Sequence, residues 1–126
     1  MISTVSLVAL GGAIGAALRY LAGAGIVRLT GHQDFPVAVL SVNVIGSFLM
    51  GAFVVAAAQR GLTHFSPFVT TGLLGGFTTF SAFSLETVAL IERGQPAQAA
   101  LYVALSVALS VGSLVLGLVL ARGAFA

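Results

Sequence analysis

Four long stretches of this chain carry no charged side chain, and together they dominate the sequence. They cover residues 1–18, 35–59, 61–85 and 94–121. A helix needs about 20 consecutive apolar residues to cross the hydrocarbon core of a bilayer, so four crossings fit. Only 6% of the residues are charged, against about 25% in soluble domains. The sequence therefore predicts an all-α membrane protein with four transmembrane helices in one domain, residues 1–126.

Turn and helix-start residues divide the chain into four spans, at about residues 2–27, 36–58, 66–92 and 96–121. The dividing signals are Gly31, Asp34 and Pro36, then Ser66 and Pro67, then Gly94 and Pro96. The N-terminus lacks the basic segment of a signal peptide, so we expect the first span to be retained.

The spans leave no room for a catalytic or nucleic-acid-binding module. The chain has no cysteine, which excludes thiol chemistry and disulfides. His32 and His64 are single histidines in connections. We therefore predict that the protein is not an enzyme and has no nucleic-acid partner.

The arginines in the connections are balanced. Arg28 and Arg93 follow spans 1 and 3, whereas Arg60 and Arg122 follow spans 2 and 4. Because an excess of Lys and Arg on one side sets the orientation, this tie favours neither side. Either the chain inserts both ways round, or features other than charge choose one orientation. Insertion both ways would permit an antiparallel homodimer with a two-fold axis in the membrane plane.

Polar or small residues interrupt spans 1 and 2. Gly11 and Gly15 have the small-xxx-small spacing that lets helices approach closely, so we interpret them as packing residues. Arg19 needs a partner or water: it either extends to the interface or lines a water-filled vestibule that attracts anions. Asn43 either bonds to a neighbouring helix or lines a pore.

Four hydroxyl side chains follow one another along span 4. Tyr102, Ser106, Ser110 and Ser113 are spaced at i, i+4, i+8 and i+11 and share one helical face. They form either a polar track or a set of serines that bond to their own helix backbone.

Residues 72–86, GLLGGFTTFSAFSLE, place glycines and threonines inside span 3. This composition predicts an interrupted helix, which in a membrane is tolerated only within protein or beside a polar cavity. Phe80 and Phe83 are neighbours on one helical face, and phenyl rings have positive edges that favour anions. The alternative is that both rings pack against lipid or protein. Glu86, at the end of the stretch, needs a partner or water.

These motifs resemble those of the Fluc (CrcB) family of small fluoride channels. The matching pieces are GGAIGAALRY in span 1, VNVIGSFLMG in span 2 and GLLGGFTTFSAFSLET in span 3. The resemblance covers essentially the whole chain, and the third piece is the most specific. Ala82 stands where many members have a threonine, which puts a hydroxyl contribution there in doubt.

The resemblance implies a dual-topology homodimer with two antiparallel fluoride pores and passive export of F⁻. It implies a fluoride-binding set of Phe80, Phe83, Asn43, Thr79, Tyr102, Ser106 and Ser110. It also implies that Arg19 lies at an aqueous vestibule and that the Gly75 and Thr78 carbonyls of both subunits hold a structural Na⁺ on the dimer axis. The role of Glu86 is left open.

The expected setting is the inner membrane of a bacterial cell, with fluoride, lipid and an inverted copy as partners. Two other functions are compatible with four apolar spans. A small multidrug transporter would need an acidic residue in span 1, where this chain has Arg19. A non-conducting scaffold subunit would explain the glycines but not the aligned serines and phenylalanines.

Overall fold

The computed structural model describes residues 1–32 and 34–125, and in this part of the chain all regular structure is helical. Four segments are long and apolar enough to cross a membrane: Ile2–Thr30, Val37–Arg60, Thr63–Glu92 and Pro96–Ala124. The predicted all-α protein with four apolar helices is confirmed. The helices extend up to three residues beyond the predicted spans, because polar residues at the span ends continue the helical turns.

We name the helices α1 (Ile2–Thr30), α2 (Val37–Arg60), α3 (Gly75–Phe77), α4 (Phe80–Glu92) and α5 (Pro96–Ala124). The third segment is subdivided, since a π-helix, Pro67–Leu74, precedes α3.

Between α3 and α4 the backbone is extended. Thr78 has ψ of 159° and Thr79 has φ of −151°. The glycines of the stretch, Gly72, Gly75 and Gly76, are themselves helical, contrary to the expectation that they interrupt the helix. The two threonines are the residues that leave the helical conformation.

The glycines of the third segment serve contact with α1. A Cβ atom on Gly72 would lie 2.9 Å from the Val8 carbonyl oxygen, and one on Gly76 would lie 2.7 Å from that of Gly12. Gly15 on α1 faces the Leu73 carbonyl in the same way. Real side chains would clash here, so the small residues let two backbones touch, as the small-xxx-small spacing predicts.

α2 and α5 form the other close helix pair. Gly51 of α2 approaches the Leu114 backbone, and Gly117 of α5 approaches the Phe48 backbone. The Ser113 hydroxyl donates to the Val44 carbonyl at 2.9 Å. Ser113 therefore forms a hydrogen bond between α5 and α2.

Contacts at the two ends fix which connections lie together. Arg93, after α4, donates to the Asp34 carbonyl between α1 and α2 at 3.3 Å. At the opposite end, the Arg60 guanidinium lies 5.3 Å from the centre of the Phe125 ring. The helices therefore run alternately up and down, with Arg28 and Arg93 at one end and Arg60 and Arg122 at the other.

We predict that Gly117→Ala destabilises the protein, whereas Gly112→Ala on the same helix does not. A Cβ at position 117 would lie 3.0 Å from the Ala52 nitrogen, while one at position 112 meets nothing within 4 Å. Overpacking of this kind costs about 1–3 kcal/mol. Thermal unfolding in detergent should show a lower midpoint for Gly117→Ala alone. Equal midpoints for the two variants would contradict the close α2–α5 contact.

Candidate functional site

A groove of about 380 Å³ runs between α2, the α3–α4 junction and α5. We call it the polar groove. Its lining includes six residues that were predicted from the sequence, four polar and two aromatic: Asn43, Thr79, Ser106, Ser110, Phe80 and Phe83. The structure thus brings together six of the seven residues that the family resemblance implies for fluoride binding. Their role in binding stays a prediction.

The amide of Asn43 holds the extended backbone at the floor of the polar groove. Asn43 Nδ2 donates to the Thr79 carbonyl at 3.0 Å, and the Thr79 N–H donates to Asn43 Oδ1 at 2.8 Å. Both polar backbone groups of one non-helical residue are therefore satisfied by one side chain. Asn43 thus bonds to a neighbouring element and also borders the groove, and its role in lining a pore stays a prediction.

The threonine hydroxyls belong to the helix ends. Thr79 is the N-cap of α4, and its Oγ1 accepts a hydrogen bond from the Ala82 N–H at 3.1 Å. The Thr78 hydroxyl donates to the Leu74 carbonyl at 2.9 Å. N-cap hydroxyls satisfy one of the free N–H groups in a first helical turn. The Thr79 side chain therefore stabilises the start of α4 at the groove.

Phe80 and Phe83 both border the polar groove, with ring centres 5.3 Å apart and planes at 45°. Phe80 is 77% exposed, so its ring projects from the protein surface, while Phe83 is half-buried. This tilt is neither stacked nor perpendicular.

The hydroxyls of α5 divide into three environments. Ser110 lines the polar groove and is half-buried, whereas Ser113 is bonded to α2. The Ser106 and Tyr102 hydroxyls are buried and find no hydrogen-bond partner among the described residues. Tyr102 is fully buried, and its ring lies 5.2 Å from Phe83, centre to centre. The structure therefore places Tyr102 behind Phe83 rather than in the lining of the groove.

Arg19 lies on the other side of the junction, in a second groove of about 460 Å³ that we call the Arg19 groove. Its Nε donates to the Gly76 carbonyl at 3.2 Å. Gly76 lies in α3, and the C-terminal carbonyls of a helix carry partial negative charge that stabilises a cation. Thr79 and Ala82 also line this groove. Arg19 thus has a partner inside the protein, and its role at a vestibule stays a prediction.

Glu86 borders a smaller cavity of about 220 Å³ near the connection between α1 and α2. His32 and Phe35 are among its other lining residues. The carboxylate therefore lies towards the end of the molecule that carries Arg28 and Arg93. The role of Glu86 stays open.

The carbonyls predicted to hold sodium lie where the helical pattern is interrupted. In a continuous α-helix the Thr79 N–H would donate to the Gly75 carbonyl, but it donates to Asn43 instead. Thr78 is extended, so its carbonyl also leaves the helical pattern, and Gly75 is exposed. The described residues contain no group of three or more His, Cys, Asp or Glu that could hold a metal ion. Backbone carbonyl oxygens are ligands of the kind that hard cations such as Na⁺ prefer, and the sodium site stays a prediction.

Sequence reasoning missed several residues of the polar groove, Ser47 and Met50 among them, and one of its neighbours. Ser47 and Met50 line it on α2, at i+4 and i+7 from Asn43, so helical spacing would have found them. Phe35 packs against Tyr102, and no local pattern indicates this contact.

The chain combines four apolar spans with a groove that is lined by hydroxyl, amide and phenyl groups. These features define a class of protein: a small membrane channel or transporter subunit. Residues 6–118 match the family model described as CrcB-like protein, Camphor Resistance (CrcB), and the chain belongs to this family.

Several relatives are similar over nearly their whole length and carry the name "Fluoride-specific ion channel FluC". The relative from Ruegeria sp. (strain TM1040) is 65% identical over 123 residues, 98% of each chain. The relative from Roseobacter denitrificans is 69% identical over 120 residues, 94% of this chain and 95% of its own. The relative from Jannaschia sp. (strain CCS1) is 69% identical over 105 residues, 80% of this chain and 100% of its own.

Proposed function

We propose that this protein is a fluoride-selective channel that lets F⁻ leave the cytoplasm passively across the bacterial inner membrane. The observation that carries the proposal is the polar groove, which gathers the amide, hydroxyl and phenyl groups expected of a fluoride path. The relatives named fluoride-specific ion channels support the choice of ion.

The chemistry of the polar groove suits a small, strongly hydrated anion. A selective pore must replace the water contacts that the ion gives up with hydrogen-bond donors. The Ser106 and Ser110 hydroxyls provide such donors. The edges of Phe80 and Phe83 add weak positive potential. None of the described residues that line the groove is charged, so the ion is not held by a full opposite charge and is released readily.

The protein acts as a homodimer in this proposal. The polar groove lies on the outside of one chain, and the Phe80 ring beside it is 77% exposed. Hydroxyl groups facing hydrocarbon would lack partners, whereas a second protein wall would enclose them. An inverted second copy is consistent with the balanced arginines, two at each end of the bundle.

A structural Na⁺ at the dimer axis completes the proposal. The Gly75 and Thr78 carbonyls of both copies would hold it, because carbonyl oxygens are suitable ligands for a hard cation. Once bound, the ion would supply a fixed positive potential that favours anions nearby. The Thr79 N–H and carbonyl remain occupied by Asn43, so the amide keeps them out of the cation site.

The first prediction concerns flux through the polar groove. Liposomes with the purified protein should release fluoride and retain chloride. Phe80→Ile and Phe83→Ile should each slow fluoride release at least roughly tenfold, which corresponds to about 1.4 kcal/mol of barrier. A fluoride electrode measures the release. Phe53→Ile, a phenylalanine of α2 outside the groove lining, is the matched control.

Equal leakage of fluoride and chloride would contradict the channel, as would no leakage of either. Normal release through both groove variants would show that the rings do not line the path.

The second prediction concerns topology. The chain has no cysteine, so Gln59→Cys creates a single label site at an exposed position without changing any arginine. Because the arginine count favours neither orientation, about half of the copies should react with an impermeant maleimide from each side. Gln98→Cys, exposed near the opposite end, should give the same division. Labelling of the two variants from single, opposite sides would exclude dual topology.

The third prediction concerns sodium. A ligand that binds only the folded state stabilises it by RT ln(1 + [L]/Kd), about 2.7 kcal/mol at one hundred times Kd. Replacing choline by Na⁺ at constant ionic strength should therefore raise the unfolding temperature of the dimer. An unchanged unfolding temperature from low to molar Na⁺ would remove sodium from the proposal and leave the flux result untouched.

A further inference from the structure

We propose that Phe35, in the connection between α1 and α2, is a positioning residue for the fluoride path and acts by fixing the Tyr102 ring. The inference deepens the proposed function and rests on it. Phe35 is outside the predicted fluoride-binding set and outside the polar groove.

Four aromatic rings form a continuous row from the connection to the polar groove. The Phe35 and Tyr102 ring centres are 5.6 Å apart, with planes at 88°. Tyr102 lies 5.2 Å from Phe83, and Phe83 lies 5.3 Å from Phe80. An edge-to-face pair such as Phe35 and Tyr102 is a favourable aromatic geometry. Phe35 therefore lies at the end of the row nearest the connection, and Phe83 and Phe80 at the other end border the polar groove.

Packing against buried apolar and aromatic residues holds Tyr102 in place. Its hydroxyl is buried and has no hydrogen-bond partner among the described residues, as is also true of Ser106 one turn along. Tyr102 belongs to a buried cluster with Leu90 and Ala99, and Phe35 and Phe83 both pack against that cluster. Phe35 thus holds Tyr102 from the side of the connection, and Phe83 holds it from the side of the groove.

Contacts of the neighbouring residue restrain Phe35. Arg93 Nη1 donates to the Asp34 carbonyl at 3.3 Å, and Gln95 Nε2 donates to Asp34 Oδ2 at 3.4 Å. Both bonds are long, but they act together and join two connections that are far apart in sequence. We call this set of contacts the Asp34 latch. It fixes the backbone immediately before Phe35.

A fixed Tyr102 matters because it supports Phe83, and groups that line an ion path act at little cost only when they are already in position. If Phe35 lost its ring, Tyr102 would sample other rotamers and Phe83 would lose its support. The expected result is slower fluoride flux with the dimer intact. An aromatic pair of this kind corresponds to roughly 2- to 12-fold in rate.

The main test uses Phe35→Leu in the full-length channel in liposomes. Fluoride release should slow by roughly 2- to 12-fold, while Phe35→Tyr, which keeps a ring, should restore the original rate. Phe65→Leu changes an exposed phenylalanine in the connection after α2 and should leave the rate unchanged. Size-exclusion chromatography verifies that each variant is still the same oligomer.

A spectroscopic measurement reports on Tyr102 directly. The chain has two tyrosines, and Tyr20 is 74% exposed, so Tyr20→Phe leaves Tyr102 alone. With 3-fluorotyrosine incorporated, this background should give one sharp ¹⁹F resonance. Adding Phe35→Leu should broaden or split it, whereas adding Phe65→Leu should not.

The Asp34 latch provides a second variant if Phe35→Leu fails to assemble. Gln95→Glu places a carboxylate opposite Asp34 and should slow release and broaden the resonance as Phe35→Leu does. Adding Asp34→Asn provides an amide N–H at position 34 that can donate to the new carboxylate at position 95. The double variant should therefore recover both the fluoride release rate and the sharp resonance.

Several results would overturn the inference. They are a sharp, unshifted resonance in Phe35→Leu, faster release in that variant, and failure of Phe35→Tyr to restore the rate. If the unaltered protein released no fluoride, the proposed function would fail. The resonance would still show separately whether Phe35 positions Tyr102.

Discussion

The two hydrogen bonds between Asn43 and the Thr79 backbone are the interaction on which the rest of the structure depends. Within a bilayer, water does not satisfy backbone groups that leave a helix, and each unsatisfied group is costly. Asn43 satisfies a donor and an acceptor of the same residue, and Arg19 from α1 bonds to the Gly76 carbonyl nearby. The junction is therefore held by polar side chains from two different helices, with Asn43 bonded to the Thr79 backbone and Arg19 to the Gly76 carbonyl.

One helix ends and another begins at this junction. Backbone carbonyls are therefore left free at the end of α3, and backbone N–H groups are left free at the start of α4. The carbonyl end of α3 faces the Arg19 guanidinium, which its partial negative charge favours. The first turn of α4 carries partial positive charge, and its N-cap Thr79 and first residue Phe80 border the polar groove. One interruption thus places a helix-end carbonyl that accepts from Arg19 next to the N-terminus of α4, without a charged side chain among the described residues of the groove lining.

Residue chemistry and periodicity predict the spans and most of the groove, because burial in lipid leaves a strong signal in the sequence. They do not predict which carbonyl Arg19 reaches, nor that Ser113 bonds to α2 rather than lining the path. Such partners depend on helix rotation and crossing, which spacing along one helix does not encode. The Phe35–Tyr102 contact is harder still to predict, since it joins residues 67 positions apart through a connection with no periodicity.

The position of the polar groove links function to assembly. A single chain leaves the Phe80 ring 77% exposed at the edge of a groove lined by hydroxyls. Facing lipid, those donors would meet hydrocarbon, and a fluoride ion would lose its water without gaining a second wall. We therefore infer that the anion path forms only when another copy covers the groove. Close glycine contacts such as Gly51 and Gly117 fix the groove within the chain, while the Phe80 ring stays exposed at its edge, where the proposed second copy would cover it.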